Sequence, residues 1–324
     1  MTFAAQALAR DVTTWREMHN QKPTEAPIQI ISDYIEGRRI MPTSTPFPGF
    51  WENARTPYSI EPMDNMSPSS PIQREIWMKA TQLGASAVAE NIIAYYMDMS
   101  PAEILYVSAT EPLLKKWATK RLEPLIDSCG IRHKISAQTD NVKSRRSGDL
   151  IFTKEFVGGA LDMASAQSAA GLRSDTKRVL LRDEIDGAPA ELRTGEGNWL
   201  EVSRARTNAW GARAKIFDLS TPTSYEGSLI YGEYLLGDKR KYLVPCPHCE
   251  KYQELVWGNE RSQNGIKAET EAGELKYAYY QCDYCHEAIF NHDKGTMLAK
   301  GRWEPSAKPS SPFISSRHLS GLYR

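Results

Sequence analysis

The rhythm of apolar and polar positions changes three times along this chain. Up to about residue 55 prolines are frequent and apolar positions keep no sustained period. That predicts a short helix followed by an extended, loosely held arm. The stretch MSPSSP, Met66–Pro71, reads as a loop from its Ser and Pro content. From Ile72 onward short apolar runs alternate with segments of helical spacing. The runs Arg74–Met78, Ile104–Ser108, Asp149–Phe152, Arg178–Arg182 and Lys215–Leu219 predict strands; Ala85–Met97, Glu111–Asp127, Glu201–Ala209 and Glu226–Leu236 predict helices. Such alternation argues for an α/β fold, a parallel sheet covered by helices. Near Lys239 the texture changes again, to the strand-like stretches KYLVP, QELVW and YAYYQ, paired cysteines and the polar run GNERSQNGIKAETEAGE. The expected division is an N-terminal helix and arm (1–55), an α/β core (56–238), a small cysteine-bearing subdomain (239–306) and the start of a linker (307–324).

Composition narrows the function classes. At 324 residues the chain suits about two domains of roughly 150 residues each. Lys plus Arg number 40 and Asp plus Glu number 40, so the net charge is zero. That excludes a globally basic nucleic-acid coat and leaves local basic patches open. No apolar run approaches the roughly 18 residues of a membrane span. The start, MTFAAQALARDVTTW, has neither the basic region nor the apolar core of a signal peptide. The expectation is a cytoplasmic protein without a membrane partner.

Three segments carry nucleotide chemistry. The first, MKATQLGAS, follows a strand and opens a helix, where a phosphate-binding loop belongs. Against the pattern G-x-x-x-x-G-K-S/T it keeps Gly84 and Ser86. Lys79 stands in place of the first Gly and Ala85 in place of the Lys. Backbone N–H groups across Ala80, Thr81, Gln82, Leu83, Gly84 and Ala85 can still cradle phosphates at a helix N-terminus. Ser86 can place its hydroxyl on Mg²⁺, and Lys79, at the loop's other mouth, can reach back to the β- and γ-phosphates. By itself the segment equally fits an ordinary strand–turn–helix. The second segment, RVLLRDE, ends an apolar strand in two acids. Asp183 would hold Mg²⁺ directly or through water, and Glu184 would orient and deprotonate the attacking water. The third, KIFDLSTPT, ends a strand in Ser220, Thr221 and Pro222, hydroxyls placed to sense loss of the γ-phosphate.

The cysteines carry a second chemistry. Cys246-Pro-His-Cys249 and Cys282-Asp-Tyr-Cys285 are two C-x-x-C knuckles in a chain without an export signal, which favours Zn²⁺ over disulfides. The stretch between the knuckles exceeds the usual spacing of about 15–20 residues. The excess is the polar run, which can project without disturbing a ribbon. His248 and His286 adjoin the knuckles as alternative ligands, and Cys129 has no partner. Four protein ligands leave no open position, so the role is structural. Two basic runs are candidates for sequence-independent DNA contact: Lys115, Lys116, Lys120 and Arg121, then Arg132, Lys134, Lys143, Arg145 and Arg146.

In this order MKATQLGAS, VLLRDEIDG, STPT and the cysteine pairs resemble the large terminase subunit of lambda-type tailed phages, the DNA-packaging ATPase. The resemblance runs from about Trp51 to the C-terminus. It implies a P-loop (RecA/ASCE-like) parallel sheet flanked by helices, plus a zinc-ribbon-like subdomain. It implies a deviant loop whose lysine stands first, hence Lys79, and a catalytic Glu after the acidic strand, hence Glu184. It implies an adenine-stacking aromatic upstream of the loop, Tyr58, with Gln73 as a further adenine candidate. It also implies ATP, Mg²⁺ and Zn²⁺ as cofactors. The partners it implies are double-stranded DNA, a small terminase subunit, a portal or procapsid, and further copies in a ring. The site is the host cytoplasm. Arg173 is a candidate γ-phosphate sensor, and Arg204 and Arg206 are candidate trans fingers. A nuclease domain follows in the family, and SSRHLSGLYR is expected to lie where it would begin. Two other readings stay open: a helicase-like nucleic-acid ATPase, and a non-hydrolysing zinc-ribbon module on a degenerate P-loop scaffold.

Overall fold

The computed structural model describes residues 29–135, 149–173, 175–223, 227–258, 262, 264–271 and 274–323. Within them the apolar runs form the middle of one broad sheet. The strands are β1 (Ile40–Met41), β2 (Gly49–Phe50), β3 (Arg74–Lys79), β4 (Ile104–Ser108), β5 (Asp149–Leu150), β6 (Thr153–Phe156), β7 (Gly159–Ser165) and β8 (Val179–Asp183). They continue as β9 (Lys215–Ser220), β10 (Arg240–Pro245), β11 (Tyr252–Glu254), β12 (Gly265–Glu271), β13 (Glu274–Gln281), β14 (Ala288–Ile289), β15 (Arg302–Glu304) and β16 (Ile314–Leu319). The sheet order is β11-β10-β16-β3-β9-β8-β4-β7-β6-β5, and β15 adds to β10. From β10 to β7 every pair is parallel; the two ends turn antiparallel.

Every residue of β3, β4, β8 and β9 is buried. Strands covered on both faces read as near-continuous apolar runs, which is why these four are legible in the sequence. Their alternation feeds two cores. Trp77, Ile104, Tyr106, Val179, Leu181, Phe217 and Leu219 share one face with the helix Ala85–Asp98. Ile76, Met78, Leu105, Val107, Leu180 and Ile216 fill the other face with Trp199 and Ile230. A buried ion cluster crosses three strands. Asp218 accepts from Arg182 Nε at 2.6 Å and Nη2 at 2.8 Å, and from Arg74 Nε at 2.8 Å.

The division expected from sequence needs three corrections. The closing segment 307–324 is no linker: β16 lies inside the sheet, between β10 and the loop strand β3. Its polar letters, ISSRHL, hide it because their partners are buried with them. Arg317 pairs with Glu75, and Ser316 N donates to Asp238 at 2.9 Å. The segment 239–306 is not a separate unit either, since β10, β11 and β15 belong to the main sheet. Among the described residues of this segment, β12, β13 and β14 form a sheet of their own, a three-stranded arm. Finally, part of the expected N-terminal arm is held: the helix Ile31–Ile35 is buried, and Ser32 is bonded to Asp64. The rest of the expected arm and its short helix lie outside the described residues.

Candidate active site

The parallel strands end together on one edge, and the three predicted segments meet there. Register aligns Met78 with Ser220, Leu219 with Asp183, and Lys79 with Leu319. Ligands of open α/β sheets bind beyond such carboxyl ends. After β3 the chain turns through Gln82 (φ 62) and Gly84 (φ 83) into the helix Ala85–Asp98. Gly84 is the residue just before that helix, and only its backbone freedom explains a glycine there, because a Cβ would meet nothing within 4 Å. A cleft of ≈ 1130 Å³ opens over this turn, lined among others by Lys79, Thr81, Gln82, Leu83, Gly84, Ser86, Glu184 and Thr221.

Lys79 is buried, and its ammonium lies 3.5 Å from Glu184 Oε1 and 3.3 Å from Thr221 Oγ1. Glu184 adopts a left-handed backbone (φ 54, ψ 52) that turns its half-exposed side chain into the cleft. Such a conformation in a residue with a Cβ costs about 1–2 kcal/mol and concentrates at functional sites. Asp183 is buried. Burial pushes its carboxyl up to about 6; Glu184's charge adds to the rise, while Ser86, Lys79 and Tyr106 oppose it. Tyr106 donates to Oδ2 at 3.2 Å, and Oδ1 has no hydrogen-bond partner among the described residues. A buried orphan acceptor beside Ser86 fits a divalent cation. Asp186 ties this acidic turn to the third segment. Its N–H donates to Ser220 Oγ at 3.1 Å, and its carboxylate accepts from Thr223 N at 3.0 Å and Ile230 N at 2.8 Å.

Not every expected residue reaches the cleft. Gln73 precedes β3 at its far end, about 20 Å from Lys79 by strand rise, so it cannot contact a base there. Tyr58 is among the lining residues of the cleft but is buried. It is 3% exposed, bonded to Leu83 O at 3.5 Å and packed edge-on against Trp77 and Tyr242, which leaves no open ring face for stacking. Phe47 and Phe50, on the β1–β2 ribbon, are the exposed aromatic rings of the cleft, and Arg55 lies over Phe47. Aperiodic, proline-rich sequence gave them no signal.

Arg173, Arg204 and Arg206 do not line the cleft. Arg173 pairs with Glu196 at 2.6 Å, Arg204 with Glu201 at 2.6 Å, and Arg206 donates to the Arg173 carbonyl at 3.2 Å. The reading of Arg173 as a sensor within its own chain is therefore not carried. Of the basic runs, Lys115, Lys116 and Lys120 are exposed. Arg132 is tied to Glu123 and Asp127, and Lys134 to Asp98. Lys143, Arg145 and Arg146 lie outside the described residues.

The four knuckle sulfurs lie within 4.8 Å of one another, with Cys246 Sγ 3.8 Å from Cys285 Sγ and Cys249 Sγ 3.9 Å from Cys282 Sγ. The knuckles share one conformation. Four residues past the first cysteine, Glu250 (φ 59) and His286 (φ 60) are left-handed and return an N–H to that cysteine's carbonyl. His248 bonds instead to Ala288 O at 3.0 Å, and neither histidine joins the sulfur cluster. The segment between the knuckles and β15 also reaches the cleft, through Asn291, Lys294, Gly295 and Leu298.

A family model described as phage terminase large subunit gpA, ATPase domain, matches residues 45–303. A curated terminase large subunit of Enterobacteria phage P21 is 20% identical over 259 residues, covering 79% of this chain and 38% of that relative. The chain thus spans well under half of that relative's length. Among solved structures, the large terminase ATPase domain of Thermus phage P74-26 aligns with TM-score 0.42 and 12% identity over 79% of each chain. The large terminase of bacteriophage HK97 aligns with TM-score 0.44 and 11% identity over 62% of this chain and 39% of that one.

Proposed function

The chain belongs to the family of phage terminase large subunit gpA ATPase domains, and from that membership we propose that its cleft hydrolyses ATP with Lys79, Ser86, Asp183 and Glu184. The observation that carries this reading is the meeting of Lys79, Glu184 and Thr221 within 3.5 Å at the ends of neighbouring strands. In this arrangement Lys79 is shared between an acid and a hydroxyl. The phosphates of ATP carry more charge than either and draw the ammonium onto the β- and γ-oxygens. Glu184 is thereby released to accept the proton of the attacking water. Ser86 and Asp183 would hold Mg²⁺ brought with the nucleotide, which would supply charge neutralisation at the phosphate oxygens. Backbone N–H groups from Ala80 to Ala85 receive the phosphates. The adenine ring lies on Phe47 or Phe50 rather than on Tyr58. Loss of the γ-phosphate is felt at Thr221 and passes through Ser220 and Asp186 to the helix Leu229–Tyr234, whose Ile230 N–H bonds Asp186.

The work done with this energy is translocation of double-stranded DNA into a procapsid. The assembly is a ring of such chains with a small terminase subunit and a portal in the host cytoplasm. No described helix is long and apolar enough to cross a membrane. Arg204 or Arg206 would serve a neighbour in the ring. Cys246, Cys249, Cys282 and Cys285 would hold Zn²⁺. Zn–S bonds of about 2.3 Å in a tetrahedron require sulfur–sulfur edges of about 3.8 Å; Cys246–Cys285 at 3.8 Å and Cys249–Cys282 at 3.9 Å are near that spacing, and all four sulfurs lie within 4.8 Å of one another.

The test is ATP turnover by Lys79→Ala. Loss of the loop's cation should lower turnover about 10²–10³-fold, read as phosphate release with Mg²⁺ present. Turnover at the wild-type rate would reject the assignment.

A further inference from the structure

We infer that Arg121 is a further phosphate-contacting residue of this site, a guanidinium from the same chain clamped by Glu90 and directed at the terminal phosphate. The inference deepens the ATPase reading and rests on it.

The argument begins with a local irregularity. The helix expected over 111–127 is not uniform: Glu111–Trp117 and Glu123–Ser128 are α-helical, and Ala118–Leu122 between them is a π-turn. Its cause is in the sequence. Pro124 has no N–H for the carbonyl of Lys120, and its ring crowds that turn. The ladder widens instead, and Glu123 N–H bonds the carbonyl of Ala118. Turns of this kind occur frequently at functional sites. Here the turn carries Arg121 into the lining of the nucleotide cleft, while Lys115, Lys116 and Lys120 stay on the outer surface.

The second argument is charge. Glu90, on the helix that follows the phosphate loop, has 0% exposure. One cation would neutralise it, yet it holds two. Arg39 bonds its Oε2 and Arg121 its Oε1. Arg39 is itself buried, with Nη1 donating to Asn91 Oδ1 at 2.6 Å and to the Ala87 carbonyl at 2.9 Å. The trio keeps one surplus positive charge, and the only member of it open to the cleft is Arg121, 42% exposed. Glu90 takes its Nε; its two Nη groups have no bond to any described residue. A fork with both tines open is the geometry for phosphate.

The third argument is direction. Trp117, one turn earlier, stacks on Tyr106 with ring centroids 3.8 Å apart, and Tyr106 bonds Asp183. The helix is thus registered against the acidic strand end, where the terminal phosphate belongs. Burial opposes the charge of Arg121, but Glu90, Tyr106 and Asp183 outweigh it and hold the guanidinium firmly protonated.

The test compares a non-hydrolysable ATP analogue with ADP, both with Mg²⁺, by calorimetric titration of wild type, Arg121→Gln, Arg121→Lys and Glu90→Gln. Arg121→Gln should weaken the analogue about 10- to 100-fold and ADP less than about threefold, the loss of one charge-assisted contact. Arg121→Lys should recover part of the loss, and Glu90→Gln should show the same selectivity with a smaller loss. Because the arginine acts within its own chain, these ratios should not depend on protein concentration. Equal weakening of both ligands, or of neither, would make Arg121 a structural partner of Glu90 only. Wild-type protein that binds no nucleotide would overturn the ATPase reading along with this inference.

Discussion

Glu184 performs its proposed role from a strained backbone, and that separates its two contributions. The turn aims the carboxylate; the carboxylate takes the proton. Glu184→Gln keeps the length and shape and removes the basicity. Nucleotide affinity should stay close to wild type while single-turnover hydrolysis falls about 10²–10⁴-fold. A parallel fall in affinity would instead assign Glu184 to binding. Asp218 shows a different economy of charge. Burial alone would raise its carboxyl, but Arg182 and Arg74 hold it down to about 2. Its folded value lies below the unfolded 3.8, so the contribution is complete above pH 3.8 and is lost as pH falls through 2. Asp218→Asn leaves two buried guanidinium groups without their counter-charge and should cost about 3–5 kcal/mol near neutrality. Denaturant midpoints of the two proteins should converge between pH 4 and pH 2, and a constant gap would contradict this account.

At the scale of elements, the knuckles join two structures of different standing. The first follows β10, a strand of the main sheet; the second follows β13, at the base of the arm. Gln253 of β11 bridges them, donating to Cys282 Sγ at 3.5 Å and accepting from Asp283 N at 2.9 Å. The proposed zinc should be present at one equivalent per chain by elemental analysis. Cys282→Ser should lose it and speed hydrogen exchange across β12 and β13, while β3, β8 and β9 stay protected. Nucleotide affinity should also weaken, because the helix Lys294–Ala299 lines the cleft. Unchanged exchange in the arm after proven metal loss would argue against a structural ion.

The same scale shows what the sequence could reveal. Strands buried on both faces, such as β8 with VLLRD, announce themselves by composition, and their terminal acids stand out against it. β7, GALDMAS, is small and mixed, and β16 is polar; each is a sheet strand by virtue of neighbours that the one-dimensional pattern does not contain. Lys79, Asp183 and Glu184 were legible because each ends an apolar run. Arg121 read only as part of a basic run. Its meaning depends on Glu90, 31 residues earlier, and on a π-turn that a proline produces.

For the whole molecule the decisive element is β16. It supplies the partner for one edge of β3 and for β10, and Ala80 N donates to Leu319 O at 2.9 Å at the entrance to the phosphate loop. Ending the chain at residue 313 should therefore abolish cooperative unfolding and nucleotide binding together. Circular dichroism melts and analogue titration would show it. A truncated chain that melts like the full one would contradict the assignment of β16 as an integral strand.

That topology sets an order of events during synthesis. Residues 74–79 emerge well before the strand that must lie beside them, residues 314–319. At about 5–20 residues per second the interval is roughly 10–50 s. Throughout it β3 can pair with β9 on one side and offers its other edge, apolar and unprotected, to any neighbouring nascent chain. Yield should therefore depend on what shields that edge, rising with slower initiation, lower temperature or added chaperone, even though the finished sheet hides β3 completely.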